Sequence, residues 1–170
     1  ICKDYKFDKS KKGRIKVIKT NDYENILSTD SIAQEFDLNT NTYIPFKRFG
    51  NKSITFLGVT FKANTDDMRE APSLKMIPAL IKKGANIKYC DPSGEKKEFL
   101  KLKKVNYCKS IDEACLKTDL IIIHTEWNDF KLLNFRNLVK KNNFSIFDMR
   151  NIYSSKKMHK DKIRYFSIGN

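Results

Sequence analysis

From position 51 onward this sequence predicts an α/β protein built on an open, mainly parallel sheet with helices on both faces. Three observations predict it. Short apolar runs alternate with amphipathic stretches, the connections between them are short, and the most apolar run, Asp119–Ile123 (DLIII), is continuous rather than alternating. Continuous strands are buried on both faces, and strand–helix alternation with short connections is the rhythm of parallel βαβ units.

Ser53–Leu57 (SITFL) is a short apolar run closed by Gly58, which reads as a buried strand. Ser73–Lys83 carries apolar residues at helical spacing and stops at Gly84, a residue that readily takes a left-handed C-terminal turn. Pro78 conflicts with a regular helix there, since proline removes a hydrogen bond in a helix interior. A helix starting only near Lys75, or a mild kink, would resolve the conflict. Asn86–Cys90 is a second strand, ended by Asp91-Pro92. A charged helix over Glu95–Lys103, a strand at Val105–Cys108 and a helix at Ile111–Lys117 precede the DLIII strand. Phe135–Lys141 reads as helix, with Phe144–Phe147 and Ile163–Ile168 as the last strands. Together these units give a Rossmann-like sheet.

Residues 1–50 are polar and irregular, an N-terminal segment of unclear role that reads as partly disordered. Lys11-Lys12-Gly13 suggests a turn, Arg14–Lys19 a weak strand and Tyr23–Phe36 a short amphipathic helix. Pro45 and Gly50 punctuate the end. The chain therefore divides into 1–50 and a single domain over 51–170, a size that supports one hydrophobic core. Its first residue is not Met, which suggests a fragment.

Composition narrows the function classes. Lys and Arg number 34 against 20 Asp and Glu, a formal charge of +14, so polyanionic partners must be weighed. All but six of the cations are lysines, scattered through every segment, whereas base readout favours arginine. This argues against nucleic acid and for solvated faces. No apolar run approaches a membrane span and no secretory signal opens the chain, which points to a cytoplasmic protein. Cys2, Cys90, Cys108 and Cys115 form no CxxC pair and no zinc spacing, so reduced, free thiols are expected and no metal site.

In an open parallel sheet, ligands bind beyond the carboxyl ends of the strands. That rule selects residues 58–70, Asp91-Pro92, His124-Thr125-Glu126-Trp127 and Asp148-Met149-Arg150-Asn151. The first loop has one glycine, Gly58, and so lacks the GxGxxG that cradles a dinucleotide pyrophosphate. Lys62 and Arg69 could supply positive charge instead, or could be solvated loop charges pairing with Asp66, Asp67 or Glu70. Trp127 could wall a pocket or close a core edge, and His124 could move protons or be a satisfied strand-end histidine. Arg150 could pair with Asp148 or reach an anionic ligand. No GxSxG, HExxH or activated cysteine marks a catalytic nucleophile; Cys90 at a strand end reads as a buried inert thiol.

The stretch TFLGVTFKANTDDMREAPSLKMIPALIKKGANIKYCDP at 55–92 closely resembles the opening of the C-terminal, UDP-sugar-binding domain of UDP-glucose 6-dehydrogenases. FKANTDDMREAPSL is its most specific part. TDLIIIHTEWNDF at 118–130, FDMRNIY at 147–153 and the closing RYFSIGN agree in order and spacing. The resemblance implies a domain that binds UDP-glucose inside a homodimeric, NAD-dependent oxidoreductase of polysaccharide biosynthesis. That enzyme makes UDP-glucuronate by two hydride transfers through a cysteine-bound intermediate. It implies that Phe61 and Lys62 contact the UDP-sugar, that Arg150 reaches the substrate across a subunit interface, and that Arg69 lies near NAD.

The family's N-terminal GxGxxG domain and cysteine-bearing GxCFPKD-like segment have no counterpart in the sequence. Activity is therefore not expected from this chain alone, NAD is expected on the N-terminal domain, and that domain could be a separate chain. Met149 stands where many relatives have glycine, so a left-handed backbone is not required there. A GDP-mannose or UDP-N-acetylhexosamine dehydrogenase domain, and a non-catalytic nucleotide-sugar-binding module, remain alternatives.

Overall fold

The computed structural model describes residues 50–168 and, before them, the backbone of two short strands, β1 (Glu35–Asp37) and β2 (Thr42–Ile44), paired antiparallel. Strand at Glu35 and Phe36 replaces the end of the helix expected over Tyr23–Phe36. The rest of that helix, the turn at Lys11–Gly13, the strand at Arg14–Lys19 and Cys2 lie outside the described residues.

The domain follows in the order β3 (Ser53–Leu57), α1 (Ser73–Lys82), β4 (Asn86–Cys90), β5 (Val105–Tyr107), α2 (Ile111–Cys115), β6 (Leu120–Ile123), α3 (Phe135–Val139), β7 (Ser145–Asp148), α4 (Ser155–Lys160) and β8 (Arg164–Ser167). Six strands form one sheet in the order β5-β4-β3-β6-β7-β8, and every neighbouring pair is parallel. The chain winds outward from β3 in one direction, returns, and winds outward in the other. The order reverses between β3 and β6, the switch point at which such sheets hold ligands.

Alternate residues of the central strands enter opposite layers. Ile54 and Phe56 of β3 and Leu120 and Ile122 of β6 pack with Met76, Ile77 and Leu80 of α1 on one face. Leu57, Ile121 and Ile123 pack with Phe135, Val139 and Met158 on the other. Each such side chain, fully buried, contributes roughly 1.5–3 kcal/mol. Burial on both faces explains why the strands read as continuous apolar runs. Thr55 is the buried polar residue of β3, and its hydroxyl donates to the Ala114 carbonyl at 2.7 Å.

Three elements depart from expectation. The helix α1 starts at Ser73 rather than near Lys75, so Pro78 sits inside it and leaves the Leu74 carbonyl without its usual donor. The helix expected over Glu95–Lys103 is a 3-10 turn at Lys97–Phe99. Its amides bond three residues back, Phe99 to Lys96 and Leu102 to Phe99, and only Phe99 is fully drawn into the core. The helix α4 was not foreseen, because its sequence SKKMHK offers only Met158 as an apolar signal.

The positive charge collects partly at the two sheet edges. Lys101, Lys103, Lys104 and Lys109 flank β5 and are exposed, as are Lys160, Lys162 and Arg164 around β8. Charged, exposed edges discourage pairing with a second sheet.

Gly58, at the end of β3, has φ +76°, and a Cβ there would lie 2.6 Å from both Cβ and Oγ1 of Thr125. Gly58→Ala should therefore lower the unfolding free energy by about 3 kcal/mol or more, from the left-handed backbone and the overlap together. Urea denaturation of the two proteins checks this; an unchanged midpoint would contradict the geometry.

Candidate nucleotide-binding crevice

The carboxyl ends of β3, β6 and β7 meet at the switch point, and each loop is held by a separate device. After β3 the chain is held by Asp91, which follows β4 and is buried. Its Oδ2 accepts from the amides of Val59 at 2.8 Å and Thr60 at 3.4 Å. Its Oδ1 accepts from the Ser93 amide at 2.9 Å and from the Ser93 hydroxyl. The buried Lys96 in turn donates to Ser93 Oγ at 2.7 Å. In a dinucleotide-binding loop such amides face a phosphate; here a protein carboxylate already fills them.

The rest of this loop is closed on itself. The Phe61 amide donates to the Asp67 carbonyl at 3.0 Å, and the Ser73 hydroxyl donates to the Val59 carbonyl, tying α1 to the loop. Phe61 is 47% exposed, a large apolar side chain in the loop after β3. Lys62 beside it is exposed as well. Arg69 is not gathered with these residues. Its side chain is open to solvent and grips Asp67 in a two-pronged contact, with Nη2 2.8 Å from Oδ2. Those hydrogen bonds hold the Asp67 carboxyl down at about 2.

After β6, the His124 and Thr125 amides both donate to the Leu57 carbonyl, at 3.0 and 3.3 Å. The Thr125 hydroxyl donates to the Thr60 carbonyl at 3.2 Å and lies 3.1 Å from His124 Nδ1. With the single hydroxyl proton spent on Thr60, Nδ1 must be the protonated ring nitrogen. Nε2 is then a buried acceptor with no protein partner. Burial lowers the His124 pKa to about 3, with the Arg150 charge adding to the effect, so the ring is neutral. Trp127 is buried beside Phe130, Phe135 and Tyr153 and closes the core rather than walling the crevice.

After β7, the fully buried Asp148 does not pair with the Arg150 guanidinium. Its Oδ1 takes the Arg150 backbone amide at 2.9 Å, and its Oδ2 takes the Tyr165 hydroxyl at 2.8 Å and the Tyr153 amide at 3.1 Å. The Arg150 side chain instead crosses to its neighbours. Nε donates to the His124 carbonyl at 2.8 Å and Nη2 to the Phe61 carbonyl at 3.3 Å. Glu126 Oε2 lies 3.0 Å from Nε. Nε has one hydrogen, already aimed at His124, so Glu126 makes a charge contact rather than a hydrogen bond, consistent with its having no donor of its own. Met149 keeps an ordinary backbone, and the left-handed residue is Asn151, at φ 54°.

Of the residues singled out in the sequence, Phe61 and Arg150 are joined through the Phe61 carbonyl, Lys62 is the next residue along and exposed, and Arg69 stands apart on the same loop. Asp91, Thr125 and Asp148 were missed as organisers. Each is a polar residue at a strand end, a pattern common to turns, and only the contacts reveal which groups it ties. The thiols of Cys90, Cys108 and Cys115 are free and buried. Burial pushes Cys90 up to about 11 and Cys115 to about 12, so none of these is poised as a nucleophile. Among the described residues no helix is long and apolar enough to cross a membrane.

Two outcomes follow for solution. The three thiols should resist a thiol reagent at neutral pH until denaturant is added, and fast native labelling would contradict their burial. His124 has its native pKa lowered from about 6.5, so its contribution to stability is complete above that value. It is lost as pH falls toward 3, at up to about 1.4 kcal/mol per pH unit. Unfolding free energies between pH 7.5 and 4.5 should therefore fall more steeply for the parent chain than for His124→Gln.

The chain is similar to known proteins in sequence and in fold. The profile of the UDP-glucose/GDP-mannose dehydrogenase family, UDP binding domain, matches residues 55–155. A UDP-glucose 6-dehydrogenase of Rickettsia prowazekii (strain Madrid E) is 41% identical over 123 residues, which is 69% of this chain and 28% of that protein. One from Rickettsia bellii (strain RML369-C) is 33% identical over 158 residues, 90% of this chain and 34% of the relative. The chain thus spans about a third or less of these relatives. Among solved structures, the NDP-N-acetyl-D-galactosaminuronic acid dehydrogenase of Methanosarcina mazei Go1 superposes with a TM-score of 0.61 at 22% identity, over 71% of this chain and 25% of that one, a likeness of fold. With a family match over most of the folded domain and an all-parallel sheet of the same kind, the chain belongs to the UDP-glucose/GDP-mannose dehydrogenase family, of which it carries the UDP binding domain.

Proposed function

We propose that this chain binds UDP-glucose as the substrate-binding part of an NAD-dependent UDP-glucose 6-dehydrogenase, a cytoplasmic oxidoreductase that is a homodimer when complete. The observation that carries the reading is the placement of Arg150. Its guanidinium stands at the switch-point crevice, anchored by two backbone carbonyls, with further N–H groups turned to no protein acceptor among the described residues. Such a fork suits the oxygens of a diphosphate, with Lys62 adding a point charge and the exposed Phe61 ring an apolar surface for the nucleoside or sugar. The identity to UDP-glucose 6-dehydrogenases over most of the domain supports glucose as the sugar.

The described residues do not fit NAD as a resident ligand. The loop after β3 has one glycine, and its amides are taken by Asp91. NAD, the hydride acceptor of the reaction, is therefore assigned to the portion of the complete enzyme that this chain does not match. Arg69, exposed at the rim, is proposed to touch the cofactor from this side once the parts are joined. Among the described residues Cys90, Cys108 and Cys115 are buried and protonated, and Cys2 lacks the surroundings of a GxCFPKD-like segment, so the nucleophilic cysteine is assigned to the same unmatched portion.

Calorimetric titration of the purified chain with UDP-glucose, GDP-mannose and NAD should show binding of UDP-glucose alone. Arg150→Ala should weaken it roughly 10- to 100-fold, the worth of hydrogen bonds to a charged group. Lys62→Ala should weaken it less. Preference for GDP-mannose, binding of NAD, or indifference to Arg150→Ala would overturn the assignment.

A further inference from the structure

Glu126 is not accounted for by the site as described. Its Oε2 is buried yet receives no hydrogen bond, and its one close partner is Arg150 Nε at 3.0 Å. The side chain as a whole is 41% exposed, so it is this one oxygen, turned inward without a donor, that is held at a cost, and the neighbouring cation offsets it. The guanidinium, for its part, spends one N–H on the His124 carbonyl and one on the Phe61 carbonyl. Three of its five N–H groups then remain for a ligand. The two carbonyls lie on loops following different strands, so they restrain the guanidinium only while those loops keep their spacing. Glu126, lying against Nε, adds a restraint that does not depend on the Phe61 loop.

We propose that Glu126 is a positioning residue for Arg150, holding the guanidinium by charge so that its unused N–H edge faces the diphosphate of the ligand. This rests on the assignment of Arg150 to nucleotide binding. Glu126 itself takes no ligand contact in this arrangement: its buried oxygen is turned to Nε, away from the free edge of the fork. Its effect on affinity must then pass through Arg150 and vanish when Arg150 is gone.

A double-mutant cycle read by UDP titration of the full chain tests this, together with the side-chain Nε–H resonance of Arg150 in the unliganded protein. Glu126→Ala and Glu126→Gln should each weaken UDP binding by about tenfold, and neither should weaken it further in an Arg150→Ala background. The Arg150 Nε–H signal, slow to exchange in the parent chain, should exchange faster in both variants. Equal losses with and without Arg150 would instead make Glu126 a ligand contact and overturn the inference. An Nε–H signal unchanged in Glu126→Gln would overturn it too, even if the parent chain bound no UDP, a result that would count separately against the nucleotide assignment. Glu126→Gln guards against a folding defect in the alanine variant, since it keeps the shape and removes only the charge.

Discussion

The crevice exists because the ends of β3 and β6 approach more closely than any side chain at position 58 would allow. A Cβ on Gly58 would overlap Thr125 at 2.6 Å, and with hydrogen there instead the two loops lock together. The Leu57 carbonyl receives two amides from the β6 end, and the Thr125 hydroxyl reaches back to Thr60. Every group at the site is placed relative to that junction. Phe61 and Lys62 leave it on one side, His124 and Glu126 on the other, and Arg150 bridges across from β7.

A parallel sheet gathers the carboxyl ends of its strands at one edge, which also gathers polar backbone with no ladder partner. This domain satisfies that backbone with buried acids. Asp91 serves the loop after β3, and Asp148 serves the turn after β7. Both are fully hydrogen-bonded, as buried carboxylates must be to be tolerated. The consequence for function is specific: amides that would hold a pyrophosphate in a glycine-rich loop are already occupied. An anionic ligand must then be met by side chains, and the cations on hand are Arg150 and Lys62.

The three loops also differ in how firmly they are tied. Arg150 is fixed from below by its amide on Asp148, which is braced by Tyr165 and Tyr153. Arg69, by contrast, has only its neighbour Asp67 and open solvent. A surface ion pair of that kind contributes little to stability and leaves the guanidinium free to change partners. Arg150 is thus held by groups from two other loops, whereas Arg69 is held only by its own.

The amino-acid sequence by itself determined the layered parallel sheet, because burial on both faces forces continuous apolar strands such as Leu120–Ile123 and places helix-periodic stretches between them. Its FKANTDDMREAPSL and FDMRNIY stretches carried the family, and that resemblance is what singles out Phe61, Lys62 and Arg150 as proposed ligand contacts. What it left open were partnerships between residues far apart in the chain. Arg150 stands two positions from Asp148, yet its side chain bonds His124 and Phe61 instead. The expected helix over Glu95–Lys103 became a 3-10 turn at Lys97–Phe99, in which only Phe99 is drawn fully into the core. Local pattern reports which face a residue prefers. Only the tertiary structure decides which carbonyl, carboxylate or ring stands within 3 Å of it, since that depends on strands brought together from distant parts of the chain.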